Sequence, residues 1–207
     1  MIGGQAFVNE IIARGPVAIA LFQAGYTVDV TDDFANIEAR INEIINGDVP
    51  PATILANLDL MLELDTAIAA ASPDEQVFFQ TAFSVNLTDG ITETEYENFL
   101  AIVTGEETYT WGTYRYTDLG AAGFVDTLQK NYSLYTRIAA LGAPATTNFL
   151  AIYGVDVTVD ITLPGYNILS GITNTPNDPA TRCRSTPSSL RSRSAARQPE
   201  EAQPLSA

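Results

Sequence analysis

Residues 52–71, opened by Pro50 and Pro51, constrain the fold more than any other stretch of the chain. Wound as a helix at about 100° per residue, the segment has a polar arc of only Asp59, Glu63 and Thr66, and nearly everything else is apolar. A helix apolar on most of its circumference must be covered on most of it, so this one is expected at the centre of a helical core. Asp65 breaks the pattern, projecting beneath Leu58 on the apolar side. Buried polar groups are normally satisfied, so a hydrogen bond to a nearby hydroxyl or backbone group is the favoured reading. The alternative is a functional carboxyl with a raised pKa.

The flanking sequence supplies further helices. Residues 5–13 and 16–24 are apolar and broken by Gly15-Pro16, with proline suited to a first helical turn. Phe34, Ile37, Ile41, Ile44 and Ile45 follow helical spacing after the capping candidates Asp32 and Asp33, and Asn46-Gly47 ends that run. Ser72-Pro73-Asp74-Glu75 and Thr92 with Glu95 have capping-box spacing. Helices are also expected over about 121–140 and 145–152.

Two segments alternate with period two. Tyr26, Val28 and Val30 interleave with Thr27, Asp29 and Thr31, and Val155, Val157, Val159, Ile161 and Leu163 interleave with Asp156, Thr158, Asp160 and Thr162. Both predict half-buried strands, over 26–30 and 154–163, the second ended by Pro164-Gly165. Thr108 to Tyr116 predicts a hairpin turning at Gly112-Thr113, with Tyr109, Trp111, Tyr114 and Tyr116 on one face. The expected fold class is therefore α+β, mainly α. It comprises six or seven helices around the 52–71 helix, a small antiparallel sheet and an aromatic hairpin. Residues 1–172 form the single globular domain of this reading. Residues 173–207, rich in Ser, Pro, Arg and Ala, are expected to be a disordered basic tail or an out-of-frame end. No internal repeat is detected.

Chemistry is restricted by what is missing. The chain has no histidine, and its single cysteine, Cys183, lies in the expected tail. A Ser-His-Asp triad and a Cys/His zinc site are thereby excluded. No glycine-rich phosphate loop and no Gly-x-Ser-x-Gly elbow is present. Thr88 to Glu95 is laid out like the middle of an EF-hand calcium loop, but the ligand register falls on Val85, Leu87 and Tyr96, which cannot coordinate calcium. It reads instead as a turn before a capped helix. Asp29, Asp156 and Asp160 would meet if the terminal strands paired, as an acid–base or cation-binding group. The simpler reading is charge that keeps sheet edges apart. No cofactor and no metal site is expected.

Charge bears on partners. Residues 1–181 hold five basic residues against 23 acidic ones, whereas 182–207 hold five arginines against two glutamates. So acidic a body repels nucleic acid. No stretch is long and apolar enough to span a bilayer, and a Sec-type signal peptide is a poor match. Compartment stays open, with a virion or export without a cleavable signal both compatible. Asn86-Leu-Thr88 and Asn131-Tyr-Ser133 fit the glycosylation sequon, a match read as chance.

The residue types left suit recognition better than turnover. The leading expectation is a non-enzymatic structural or assembly protein, a self-associating subunit such as a virion component, with Tyr109, Trp111, Tyr114 and Tyr116 as its interaction surface and copies of itself or other protein subunits as partners. The alternatives are an extracellular module binding carbohydrate or a cation through an aromatic and acidic surface, and a carboxylate-based hydrolase.

Overall fold

The computed structural model describes residues 2–86, 90–105 and 115–174. Tyr109, Trp111 and Tyr114 of the expected hairpin, and residues 175–207, lie outside the described residues. Among the described residues there are nine helices and no strand. They are α1 (Gly4–Ala13), α2 (Pro16–Tyr26), α3 (Phe34–Ile45), α4 (Pro51–Ala69), α5 (Pro73–Phe83), α6 (Glu93–Thr104), α7 (Tyr116–Ala140), α8 (Ala143–Tyr153) and α9 (Leu163–Thr173). The α+β expectation is corrected to all-α over these residues.

The failure of both expected strands has one physical cause. Tyr26 closes α2, Thr27 turns the chain in the left-handed region (φ 58°), and Val28 and Val30 enter the core. Between them Asp29 Oδ1 accepts the Thr31 N–H at 2.9 Å and the Thr31 hydroxyl at 2.6 Å. Residues 154–163 repeat the arrangement. Gly154 turns at φ 72°, Val155 and Val157 are buried, and Asp156 Oδ1 accepts the Thr158 N–H at 2.9 Å and hydroxyl at 2.6 Å. The side chain thus takes a backbone donor that a ladder would need. The alternation recorded burial of every second residue, not strand pairing. Pro164-Gly165, read as a strand terminator, begins α9, whose N-cap Thr162 accepts the Gly165 N–H. The hairpin expectation also gives way at its described end, where Tyr116 opens a helix rather than pairing across a turn.

These two loops belong to a tandem repeat that the sequence reading missed. Aligned on Gly15, Ser72 and Gly142, the chain places Ile11, Ile68 and Ile138 four residues before, Phe22, Phe79 and Phe149 seven after, and Val28, Val85 and Val155 thirteen after. Thr31, Thr88 and Thr158 stand sixteen after, with Asp29, Asn86 and Asp156 two residues ahead of them. The backbone obeys the same alignment. Each anchor N-caps an 11-residue helix with proline in its first turn, α2, α5 or α8. Gly15 (φ 95°, ψ −176°) and Gly142 (φ 81°, ψ −178°) share a conformation open essentially to glycine alone. Ser72 forms a capping box with Glu75 instead. Each of these helices ends in a left-handed residue, Thr27, Ser84 or Gly154, and Thr27 and Ser84 are the only described non-glycine residues with positive φ. The helix after each loop then starts on a side-chain cap, Asp33, Thr92 or Thr162.

Three repeats result: α1–α3, α4–α6 and α7–α9. Within each, the first and third helices pack on each other, as α1 on α3, α4 on α6 and α7 on α9. Between neighbours, the middle helix of one repeat packs on the first and third helices of the next: α2 on α4 and α6, then α5 on α7 and α9. First helices also meet in sequence, α1 on α4 and α4 on α7. Helix α4 therefore touches all three repeats, as the near-continuous apolar run of 52–71 demands, with Ile54, Leu58, Met61, Leu64 and Ile68 buried. Helix α7 is kinked at Gly120 (φ 63°, ψ 179°), so its long straight part coincides with the expected 121–140 helix.

Candidate functional site: the exposed face of the third repeat

Both junctions between repeats are built from the same positions. In the first, Tyr26 of α2 meets Tyr96 of α6 with ring centroids 6.1 Å apart and planes at 68°. In the second, Phe83 of α5 meets Tyr166 of α9 at 4.8 Å and again 68°. Tyr26 and Phe83 hold equivalent places at the end of the middle helix, and Tyr96 and Tyr166 are each the fourth residue of the third helix. One position earlier on the middle helix stands a small residue, Gly25 or Ala82. A Cβ on Gly25 would lie 2.3 Å from Tyr96 Cε1, so the backbone of one repeat rides directly on a ring of the next. Phe78 reinforces the second junction against Tyr132, Tyr135 and Tyr166. The first carries a bidentate ion pair, Arg14 Nε and Nη2 donating to Asp59 at 2.7 and 3.0 Å. Asp59, followed by Glu10, holds the Arg14 guanidinium above its ordinary pKa against the opposing effect of burial.

In the third repeat these positions have no following repeat among the described residues, and their chemistry has changed. Ile152, where Gly25 and Ala82 stand in the other repeats, is 71% exposed, and Tyr153, equivalent to Phe83 at 2%, is 44% exposed. Among the described residues, six of the nine exposed large apolar side chains lie on α8, just before it, in the loop that follows it or on α9: Leu141, Leu150, Ile152, Tyr153, Val159 and Ile168. The sequence from Ile138 to Val155 contains no charged residue. The α8 segment is thus apolar, uncharged and exposed on a chain otherwise rich in acidic residues.

The residues singled out from sequence fall elsewhere. Tyr109, Trp111 and Tyr114 are outside the described residues. Tyr116 is 1% exposed at the start of α7, its hydroxyl donating to the Leu60 carbonyl at 3.4 Å and its ring 6.2 Å from that of Phe124. Burial, with the neighbouring Glu63 charge, pushes its pKa up to about 12. It is a core residue and offers no surface. Asp29 and Asp156 sit in different repeats, each engaged by its own threonine, and those hydrogen bonds hold both carboxyls below the usual range. Asp65 is half-buried beside a cavity of about 90 Å³ lined by Ile68, Phe79 and Val85. No described residue donates it a hydrogen bond, and burial alone raises its pKa. Among the described residues no cluster of three or more Cys, Asp or Glu could hold a metal ion, and no helix is long and apolar enough to cross a membrane. Asn131, in one of the two sequons, is fully buried and bonded to Ser170 at 2.6 Å.

A second feature lies at the junction of α5 with the third repeat. Asp74, Val77, Phe78, Thr81, Tyr132, Tyr135, Asp160 and Ile161 line a groove of about 340 Å³. The Tyr135 hydroxyl donates to the Val159 carbonyl at 2.5 Å. Burial, then the charges of Asp160 and Asp156, raises its pKa. Burial, then the charge of Asp74, raises the pKa of Tyr132. The sequence signal for both features was the Phe-x-(Ala/Thr)-x-(Tyr/Phe)-x-Val-(Asp/Asn) recurrence, whose unequal spacing hides it from a search at fixed period. No protein-family model matches the chain, nor does any curated protein or solved structure.

Proposed function

We propose that the protein is a non-enzymatic structural or assembly protein, a self-associating subunit built from tandem helical repeats. The observation that carries this is the twice-used junction between repeats, whose third instance presents Ile152 and Tyr153 to solvent on an uncharged helix. Repeats of this kind bury their apolar faces by stacking, and an outermost repeat stays soluble when its outer face is polar. The α8 face does not meet that condition, which suits a protein that associates. Light scattering coupled to size-exclusion chromatography of the full chain tests the reading. The expected mass exceeds that of one 22.2 kDa chain and rises with concentration. A single-chain mass across the whole soluble range refutes it.

The Tyr132–Tyr135 groove favours a second reading, a carbohydrate- or cation-binding module. Two tyrosines and two carboxylates lining one groove suit a sugar's alternating apolar and hydroxyl surfaces. Glycan-array binding by the wild type, lost in Tyr132→Ala with helicity intact, would establish it in place of the first.

A further inference from the structure

Resting on the self-association reading, we propose that the uncharged face of α8 docks on the same face of a second copy of this chain, closing a two-fold dimer. The two ends of the repeat series are chemically different, and the difference selects the occupant. At each internal junction the receiving repeat offers rings: Tyr96 in the second, Tyr132, Tyr135 and Tyr166 in the third. The first repeat has Gln5, Val8 and Ile37 at the places of Tyr132, Tyr135 and Tyr166. Val8 is 2% and Ile37 9% exposed, so those two are already buried in the single chain, and Gln5 is polar. The receiving end thus lacks the three rings of the second junction, while the donating end keeps its aromatic, Tyr153.

Head-to-tail stacking would set Tyr153 where Gln5, Val8 and Ile37 replace the three tyrosines that receive Phe78 and Phe83 at the second junction. A two-fold contact instead sets apolar on apolar and keeps the acidic remainder of each copy out of the seam, where like charges are costly. From 175 to 207 the sequence offers only two large apolar side chains, Leu190 and Leu205, among five arginines, so a second copy is the better chemical match to an apolar face. The substitution of Ile152 for the small Gly25 and Ala82 fits the same assignment. A side chain that would collide in the internal type of junction is suited to knob-into-groove packing of one α8 against another.

Sedimentation equilibrium of the full chain, with single-residue variants, tests this. The wild type is expected to reach two chains and stop. Ile152→Asp, and independently Tyr153→Ser, should weaken the dimer at least about thirtyfold, the effect of truncating a central interface residue. Helical circular dichroism should be unchanged, since both side chains are exposed in the single chain. Ile12→Asp, at a position on the first repeat about as exposed as Tyr153, should leave the dimer intact. Growth beyond two chains, or dissociation by Ile12→Asp, would overturn the two-fold arrangement in favour of head-to-tail stacking. Assembly indifferent to both α8 substitutions would sink the α8 assignment and leave the self-association reading standing. A wild type that is single-chain throughout would remove that reading itself.

Discussion

Gly25→Ala is the sharpest probe of whether the repeats are energetically separate. The added Cβ would stand 2.3, 2.5 and 2.6 Å from Tyr96 Cε1, Cζ and Cδ1, whereas carbon atoms in ordinary contact sit about 3.5–4.0 Å apart. The ring must therefore retreat by more than about 1 Å. It has little room to do so, being 6% exposed and edge-on to Tyr26 at 6.1 Å. Overpacking costs about 1–3 kcal/mol, and a clash with the body of a ring belongs at the upper end of that range. Alanine gains about 1 kcal/mol over glycine inside a helix, which offsets part of the loss and leaves about 2 kcal/mol. Because each repeat rests chiefly on its neighbours, the penalty should fall on the junction of the first repeat with the second. Amide hydrogen exchange read by mass spectrometry resolves where it falls. Peptides from α1–α3 should exchange about thirtyfold faster, since about 1.4 kcal/mol is tenfold, while peptides from 121–140 and from α9 should change by less than about threefold. Gly25→Ala combined with Tyr96→Leu should recover most of the protection. Equal acceleration in all nine helices would show one indivisible core and refute the tandem description, and so would no acceleration anywhere.

Three further outcomes follow from individual sites. Asn131→Ala should lower stability by about 2–3 kcal/mol in urea unfolding, because Ser170 and Thr173 lose their buried partner. Importing the second repeat's apolar set at the equivalent places, Asn131→Met with Ser170→Leu and Thr173→Val, should recover most of that loss. Gly142→Ala should cost about 1–3 kcal/mol through its backbone conformation (φ 81°), whereas Gly171→Ala, inside α9 where an added Cβ meets no described atom within 4 Å, should raise the melting temperature. Asp65→Asn should raise stability at neutral pH. Burial lifts the folded-state pKa of Asp65 above its unfolded value, so ionisation opposes folding: stability is greatest below the unfolded pKa and falls as pH rises through the folded one. The gain from Asn should accordingly vanish in acid, and a gain that persisted there would refute the assignment.

Sequence reading recovers what is local and one-dimensional. The capping boxes at Ser72 and Thr92 form as spaced, and the apolar run of 52–71 becomes the helix shared by all three repeats. The reading failed where two physical causes write the same pattern. Val-Asp-Val-Thr alternates whether it lies in a sheet or drops two valines into a helical core while its carboxylate closes a turn. The feature that separates the two is the residue before it: Thr27, Ser84 and Gly154 are all turned left-handed, ending a helix that a strand could not follow in register. Tyr116 was misjudged for a related reason, since alternation with Tyr114 says nothing about a helix beginning between them. The exposed face of α8 was legible only by comparison within the chain. On its own, Ala143–Tyr153 is one more apolar helix, and nothing in it marks Ile152 as out of place. Set beside Gly25 and Ala82, the same residue becomes an exception, because two copies of that position are small for a stated reason and the third is large. Internal repetition therefore carries the comparison: two junctions of one kind lie within the chain, and the departure of the third instance from both sets the α8 face apart.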